Sequence, residues 1–172
     1  MLKKIAFFLF LFCMASGSAM CQSSEQENNL KAVFLYNFTR YIYWEEHPGE
    51  SEFVIGIMGT SGIDAALAEI AKTNTVNNKR IVLRHFSKPE DISFCHILFI
   101  PNGNSYPLNI ILENIDKGVL TVSEKPGLGK MGTAFNFIVQ HDKLKFEANL
   151  KAISAAGLKA SSQLLKLAII IN

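Results

Sequence analysis

The sequence predicts a single three-layer α/β domain with a mostly parallel sheet and an antiparallel hairpin added near its C-terminal end. Three observations predict this class. Residues 53–58 and 96–100 are short, continuously apolar runs, as expected of strands buried on both faces. Segments with helical spacing of apolar residues alternate with such runs. The chain beyond its N-terminal leader is about 150 residues, the size of one domain and enough to bury a core without staples.

The leader comes first. Met1-Leu2-Lys3-Lys4 is followed by an apolar run from Ile5 to Met14 and then by small residues, the pattern of a secretory signal peptide. The run is too short for a membrane span, which needs about 20 residues. Residues 1–21 are therefore expected to be a signal peptide. Ala19-Met20-Cys21 admits two endings: ordinary cleavage with soluble release, or a lipid-carrying Cys21, for which Met20 is bulky.

Residues 22–29 are polar and read as a mobile lead into the domain, 30–172. Leu30, Val33, Phe34, Phe38 and Tyr41 recur at helical spacing, which predicts a helix from 30 to about 43. Pro48 and Gly49 end the connection, and 53–58 is the first strand. Gly59-Thr60-Ser61-Gly62 turns into a helix over 63–71, with Ala66, Leu67 and Ile70 on one face; 74–78 reads as a loop. Residues 80–86 and 96–100 are the second and third strands, 108–115 a helix, and 119–123 the fourth strand. Phe135, Phe137 and Val139 then alternate with Asn136, Ile138 and Gln140 in a fifth strand. His141-Asp142 turns the chain into a sixth strand at 144–146. The rest is expected to be helical, broken at Gly157 by a left-handed C-cap. The alternation is Rossmann-like, and no repeat, low-complexity segment or linker marks a second domain.

Composition narrows the function classes. Of 17 basic residues, Lys3 and Lys4 belong to the leader, so the remaining chain is formally neutral against its 15 acidic ones. That balance leaves no footprint for nucleic acid or anionic lipid. Cys95 alone lies clearly inside the domain, beside an apolar strand, and reads as a small buried hydrophobe. His47, His85, His96 and His141 are scattered, with no zinc-like spacing. No nucleophile elbow or acid–base pair is visible, so neither catalysis nor a metal or cofactor is expected. Gly127, Gly129 and Gly132 spell G-x-G-x-x-G, but a dinucleotide fingerprint must open a helix. The segment that follows here alternates like a strand, which makes the glycines a connecting loop.

Two sets of residues are candidate sites. In open α/β sheets, ligands sit outside the C-terminal ends of the strands. Gly59, Thr60, Ser61, Asn102 and Ser123 all fall on loops leaving such ends, and could either hold a small molecule or act as ordinary turns and caps. Asn37 interrupts the apolar face of the first helix, and Arg40, Tyr41 and Trp44 continue its line toward the helix end. Such a polar-aromatic row suits a protein partner or a ligand; equally, Asn37 could bond a backbone group and Arg40 extend to solvent. Asn149 and Ser161 read as N-caps.

Several stretches together resemble the YfiR family of exported bacterial proteins. They are Lys31-Ala32-Val33-Phe34-Leu35-Tyr36-Asn37-Phe38-Thr39-Arg40-Tyr41, the apolar strands, Val119-Leu120-Thr121-Val122-Ser123-Glu124 with its glycine-rich sequel, Phe135-Asn136-Phe137, and Phe146-Glu147-Ala148-Asn149 with the Gly157 to Leu165 segment. The resemblance runs from Leu30 to Ala168. It implies a periplasmic α/β protein without catalytic activity that binds the extracytoplasmic part of a membrane diguanylate cyclase, or another inner-membrane signalling protein, and holds it inactive. Asn37, Arg40, Tyr41 and Trp44 would then be contact residues; a small-molecule ligand in the crevice and a homodimer are both compatible with that role. The chain departs from the pattern at Glu45-Glu46-His47-Pro48, where Trp-Pro is common, at Glu124 in place of Asp, and at Ala148 in place of Ile. Paired cysteines are missing, so redox control is not expected.

Overall fold

The computed structural model describes residues 17–45 and 51–171, with side chains from residue 24 onward. The body of the predicted leader, the side chains at its cleavage point, and Glu46, His47, Pro48 and Gly49 lie outside the described residues. Helix α1 (Gly17–Phe38) leads into a short strand β1 (Ile42–Tyr43). Then follow β2 (Glu52–Met58), α2 (Asp64–Thr73), β3 (Thr75–Val76), β4 (Lys79–Phe86), β5 (Ile97–Ile100), α3 (Leu108–Glu113) and β6 (Leu120–Ser123). The chain continues through α4 (Leu128–Met131), β7 (Phe135–Gln140), β8 (Lys143–Asn149), α5 (Leu150–Ala155), β9 (Lys159–Ala160), α6 (Ser162–Leu165) and β10 (Ile169–Ile171). No described helix is long and apolar enough to cross a membrane.

Eight strands form one sheet in the order β10-β8-β7-β6-β5-β2-β4-β3. The five strands from β7 to β4 are parallel, β7 and β8 form the expected antiparallel hairpin, and β10 adds a parallel strand outside it. Side chains alternate between two apolar layers. Ile55, Ile57, Ile97, Phe99, Leu120 and Val122 face α1, α2, α5 and α6. Val54, Met58, Leu98 and Ile100 face α3 and α4. Gly56 makes room within the second layer, where a Cβ would stand 2.7 Å from the Phe86 ring and 3.0 Å from Cys95 Sγ.

Four segments differ from expectation. Residues 22–29, read as a lead, are helical; Glu25, Gln26 and Glu27 are good helix formers, and Glu27 pairs with Lys31 one turn on at 2.6 Å. Helix α1 stops at Phe38, not near 43. The Thr39 hydroxyl donates to Tyr36 O at 2.6 Å, and Thr39, Arg40 and Tyr41 make three-residue backbone bonds that tighten and end the helix. Ile42 and Tyr43 then pair with Ala160 and Lys159 of β9. Residues 74–78 are not a plain loop, because Asn77 and Asn78, both at positive φ, form the turn of a β3–β4 hairpin. Beyond Gly157, at φ +76°, the chain is strand, one helical turn and strand, where a helix was expected.

Candidate functional site

Helix α1 crosses the mouth of the sheet. Its Asn28 sits against Gly62, so closely that a Cβ on Gly62 would stand 2.3 Å from Asn28 Nδ2. Three residues further on, Lys31 Nζ lies 2.6 Å from Glu27 Oε1 and 2.6 Å from Glu124 Oε2. The second oxygen of Glu124 accepts the Asn102 N–H at 2.9 Å. One helix thereby ties the loop after β2 to the loops after β5 and β6. Burial is the largest influence on the Lys31 ammonium and pulls its pKa down, but the hydrogen bonds and charges of Glu124 and Glu27 outweigh it and raise the pKa. Lys31 is thereby held as an ammonium between the two acidic side chains.

The five residues proposed for a ligand are not brought together by this arrangement. Gly59, at φ +74°, donates its N–H to Phe86 O at 2.8 Å. Ser61 serves its own loop: its hydroxyl accepts the Ile63 N–H at 3.4 Å, and its N–H donates to Asp64 Oδ2 at 3.3 Å. The other Asp64 oxygen faces His85 Nε2 at 3.3 Å. Thr60 is exposed. Ser123 is fully buried, and its hydroxyl bonds the Thr133 and Asn136 side chains. Asn102 alone of the five lines a cavity of about 440 Å³, whose walls also include Glu27, Lys31, Glu124, Phe137, Val139 and Leu144.

The row Asn37, Arg40, Tyr41 and Trp44 is broken because the helix ends at Phe38. Asn37 is half-buried, and it lies in line with Leu30 and Val33, which are 45% and 44% exposed. The face turned inward is the next one round, Ala32, Leu35 and Phe38. Arg40 is exposed and lies over the Tyr36 ring at 5.1 Å. Tyr41 packs on the core, and its carbonyl accepts the Ser161 N–H at 2.8 Å. Trp44 turns under the sheet, where it meets Phe53 edge-on at 5.2 Å and donates from Nε1 to His96 O at 3.2 Å. Buried His96 stacks on Phe53 at 4.3 Å and accepts the Val54 N–H through Nδ1 at 3.1 Å. Leu30, Val33 and half-buried Asn37 therefore share the outward side of α1, with exposed Arg40 just beyond its end, while Tyr41 and Trp44 serve the interior.

The residues that sequence reasoning placed least well form a buried polar chain. The Thr133 hydroxyl lies 2.8 Å from Ser123 Oγ, and Ser123 donates to Asn136 Oδ1 at 2.7 Å. Asn136 Nδ2 in turn donates to Glu147 Oε2 at 2.9 Å. Ser123, Thr133 and Asn136 are each fully buried. Beside them Asn149 Nδ2 donates to Gly129 O at 2.9 Å, while its Oδ1 caps α5 at Ala152 N. Ser161 caps α6 at Leu164 N, also as expected. The glycine-rich segment folds over this chain as one helical turn between Gly127 and Gly132, both at positive φ, and then enters β7. Ser123 and Asn136 are register partners on adjacent strands, a pairing that the sequence pattern alone does not reveal, since it leaves open which way Asn136 points.

Among the described residues, no group of three His, Cys, Asp or Glu side chains converges as a metal site. Cys95 is fully buried, and burial pushes its thiol up to about 12. At pH 8 only about one thiol in ten thousand would be ionised. Iodoacetamide at that pH is expected to leave Cys95 unmodified for hours in the native protein and to label it within minutes in denaturant. Peptide mapping by mass spectrometry checks this, and fast native labelling would show that β5 opens readily.

The family model described as YfiR/HmsC-like matches residues 28–169. The match begins at Asn28, the residue that seats α1 on Gly62, and ends at Ile169, the first residue of β10.

Proposed function

The chain belongs to the YfiR/HmsC-like family, and on that premise we propose that it is a non-catalytic periplasmic regulator that binds the extracytoplasmic part of an inner-membrane signalling protein, of the diguanylate-cyclase type, and represses it. The family match over nearly the whole domain carries the reading. Two features support it. The N-terminal leader has the pattern of an export signal. Helix α1 leaves Leu30 and Val33 exposed beside Asn37 and Arg40, a short apolar strip with a cation at its end. Repression needs only that this surface bind the inactive state of the partner more tightly than the active one.

The test is a crosslinked pull-down of the C-terminally tagged protein from its native envelope, identified by mass spectrometry. A membrane cyclase or comparable receptor is the expected recovery, and its absence after crosslinking would sink the reading. Arg40→Glu and Val33→Asp, both at exposed positions, are expected to lower that recovery about tenfold. Each should leave the urea midpoint nearly unchanged, because exposed substitutions cost about 0.5 kcal/mol or less. Undiminished recovery by both variants would place the contact elsewhere on the protein.

A further inference from the structure

The cavity beside α1 joins two unlike walls. Strands β7 and β8 supply Phe137, Val139 and Leu144, an apolar wall of which Val139 is 59% exposed. Helix α1 and the loop after β6 supply Glu27, Lys31 and Glu124. Its volume, about 440 Å³, lies in the range of small-molecule sites, which are mostly apolar with a few fixed polar groups. The polar groups here are fixed from both sides, since Glu124 holds Lys31 with one oxygen and the Asn102 N–H with the other. Two carboxylates around one ammonium leave a surplus negative charge at the rim. Lys31 Nζ fills the position between the two carboxylates, so an anion would have to displace Glu27 from Lys31, whereas a cation can meet the half-exposed Glu27 carboxylate from its solvent side.

We infer that this cavity is a binding site for a small organic amine, its apolar body against Phe137, Val139 and Leu144 and its ammonium group against the exposed side of the Glu27 carboxylate. The site differs from the strip proposed for the protein partner, and it uses only Asn102 of the loop residues singled out in the sequence. An occupant would touch the triad that ties α1 to the sheet, so binding there would bear on how α1 is held.

The probe is 2-phenylethylamine at pH 7, with 2-phenylethanol and phenylacetate as neutral and anionic counterparts, titrated into the purified full domain and followed by amide chemical shifts. Saturable shifts at Lys31, Asn102, Glu124 and Val139 are expected, with the amine binding about fivefold more tightly than the alcohol and phenylacetate weakest. Two variants keep the fold: Glu27→Gln, at a half-exposed carboxylate, and Val139→Trp, which fills the cavity from its exposed side. The first should erase most of the preference of amine over alcohol, and the second should abolish binding of both. Equal affinity for amine and anion, shifts confined to other surfaces, unchanged binding by Val139→Trp, or no saturation by any probe would each overturn the assignment. None of these outcomes depends on whether a membrane partner is recovered.

Discussion

Phe38→Ala is expected to destabilise the protein by about 3–5 kcal/mol, the usual cost of emptying a fully buried phenylalanine site. Phe38 is the last residue of α1 and has no exposed surface. Its ring lies 4.7 Å from Phe135, 5.1 Å from Phe146, 6.0 Å from Phe137 and 6.1 Å from Phe34. The first three belong to β7 and β8, so this one side chain seats the helix on the antiparallel end of the sheet. Aromatic rings in such offset and edge contacts add about 0.5–1.5 kcal/mol per pair beyond their burial. Four neighbours cannot all relax into one vacated volume, which puts the expectation at the upper end of the range. Urea unfolding should show a lower midpoint at an unchanged slope. Val33→Ala, five residues earlier on the exposed side of the same helix, should change stability by no more than about 0.5 kcal/mol. A small effect at Phe38 would mean that α1 does not close over β7 and β8 in solution.

The same helix shows where sequence reasoning succeeds and where it stops. The central strands were legible because a run such as Phe53-Val54-Ile55-Gly56-Ile57-Met58 has no polar face to present to water. The buried side of α1 was not. From Leu30 to Phe38 the segment is apolar almost all round, and its period fits two adjacent faces equally well. Only the position of the sheet decides that Leu35 and Phe38 turn in while Leu30 and Val33 turn out. Strands β9 and β10 escaped notice because two or three residues are too few to carry a period.

The candidate site failed in a more instructive way. The crevice rule found the right ends of the strands, yet it treats the mouth of the sheet as empty. Here Lys31 reaches Glu124, 93 residues away in the chain, and the helix that carries it covers the mouth. A contact of that separation leaves no trace in local pattern. Ser123 was singled out for a ligand because it is polar at a strand end, but it serves the interior instead. Its partners Thr133 and Asn136 lie in or next to the following strand, and the glycine-rich turn closes over them. The motif most suggestive of a cofactor loop thus covers a structural hydrogen-bond chain.

That chain makes the second large prediction. Asn136→Asp keeps the shape of the side chain, removes its N–H donors and adds a carboxylate. The amide now donates from Nδ2 to Glu147 Oε2 at 2.9 Å while accepting from Ser123 at 2.7 Å. After the substitution two carboxylates face each other in a site where residue 136 has no exposed surface. They can coexist only if the pair takes up a proton or the contact breaks, at a cost of about 3–5 kcal/mol at neutral pH. In the unfolded chain both groups titrate near their ordinary values, about 3.9 and 4.3, so above pH 5 the unfolded state holds no such proton. The native variant therefore binds more protons than its unfolded state, and its stability must fall as pH rises from about 5, by up to about 1.4 kcal/mol per pH unit, until the shared proton is lost. Asn136→Ala serves as the contrast: it removes the donor without adding charge, and should cost about 1–3 kcal/mol with little added dependence on pH. Urea midpoints of the three proteins at pH 5 and pH 8 separate the cases. A deficit for Asn136→Asp that is the same at both values would mean that Asn136 does not meet the Glu147 carboxylate in solution, and the buried chain beneath the glycine turn would lose its terminal link.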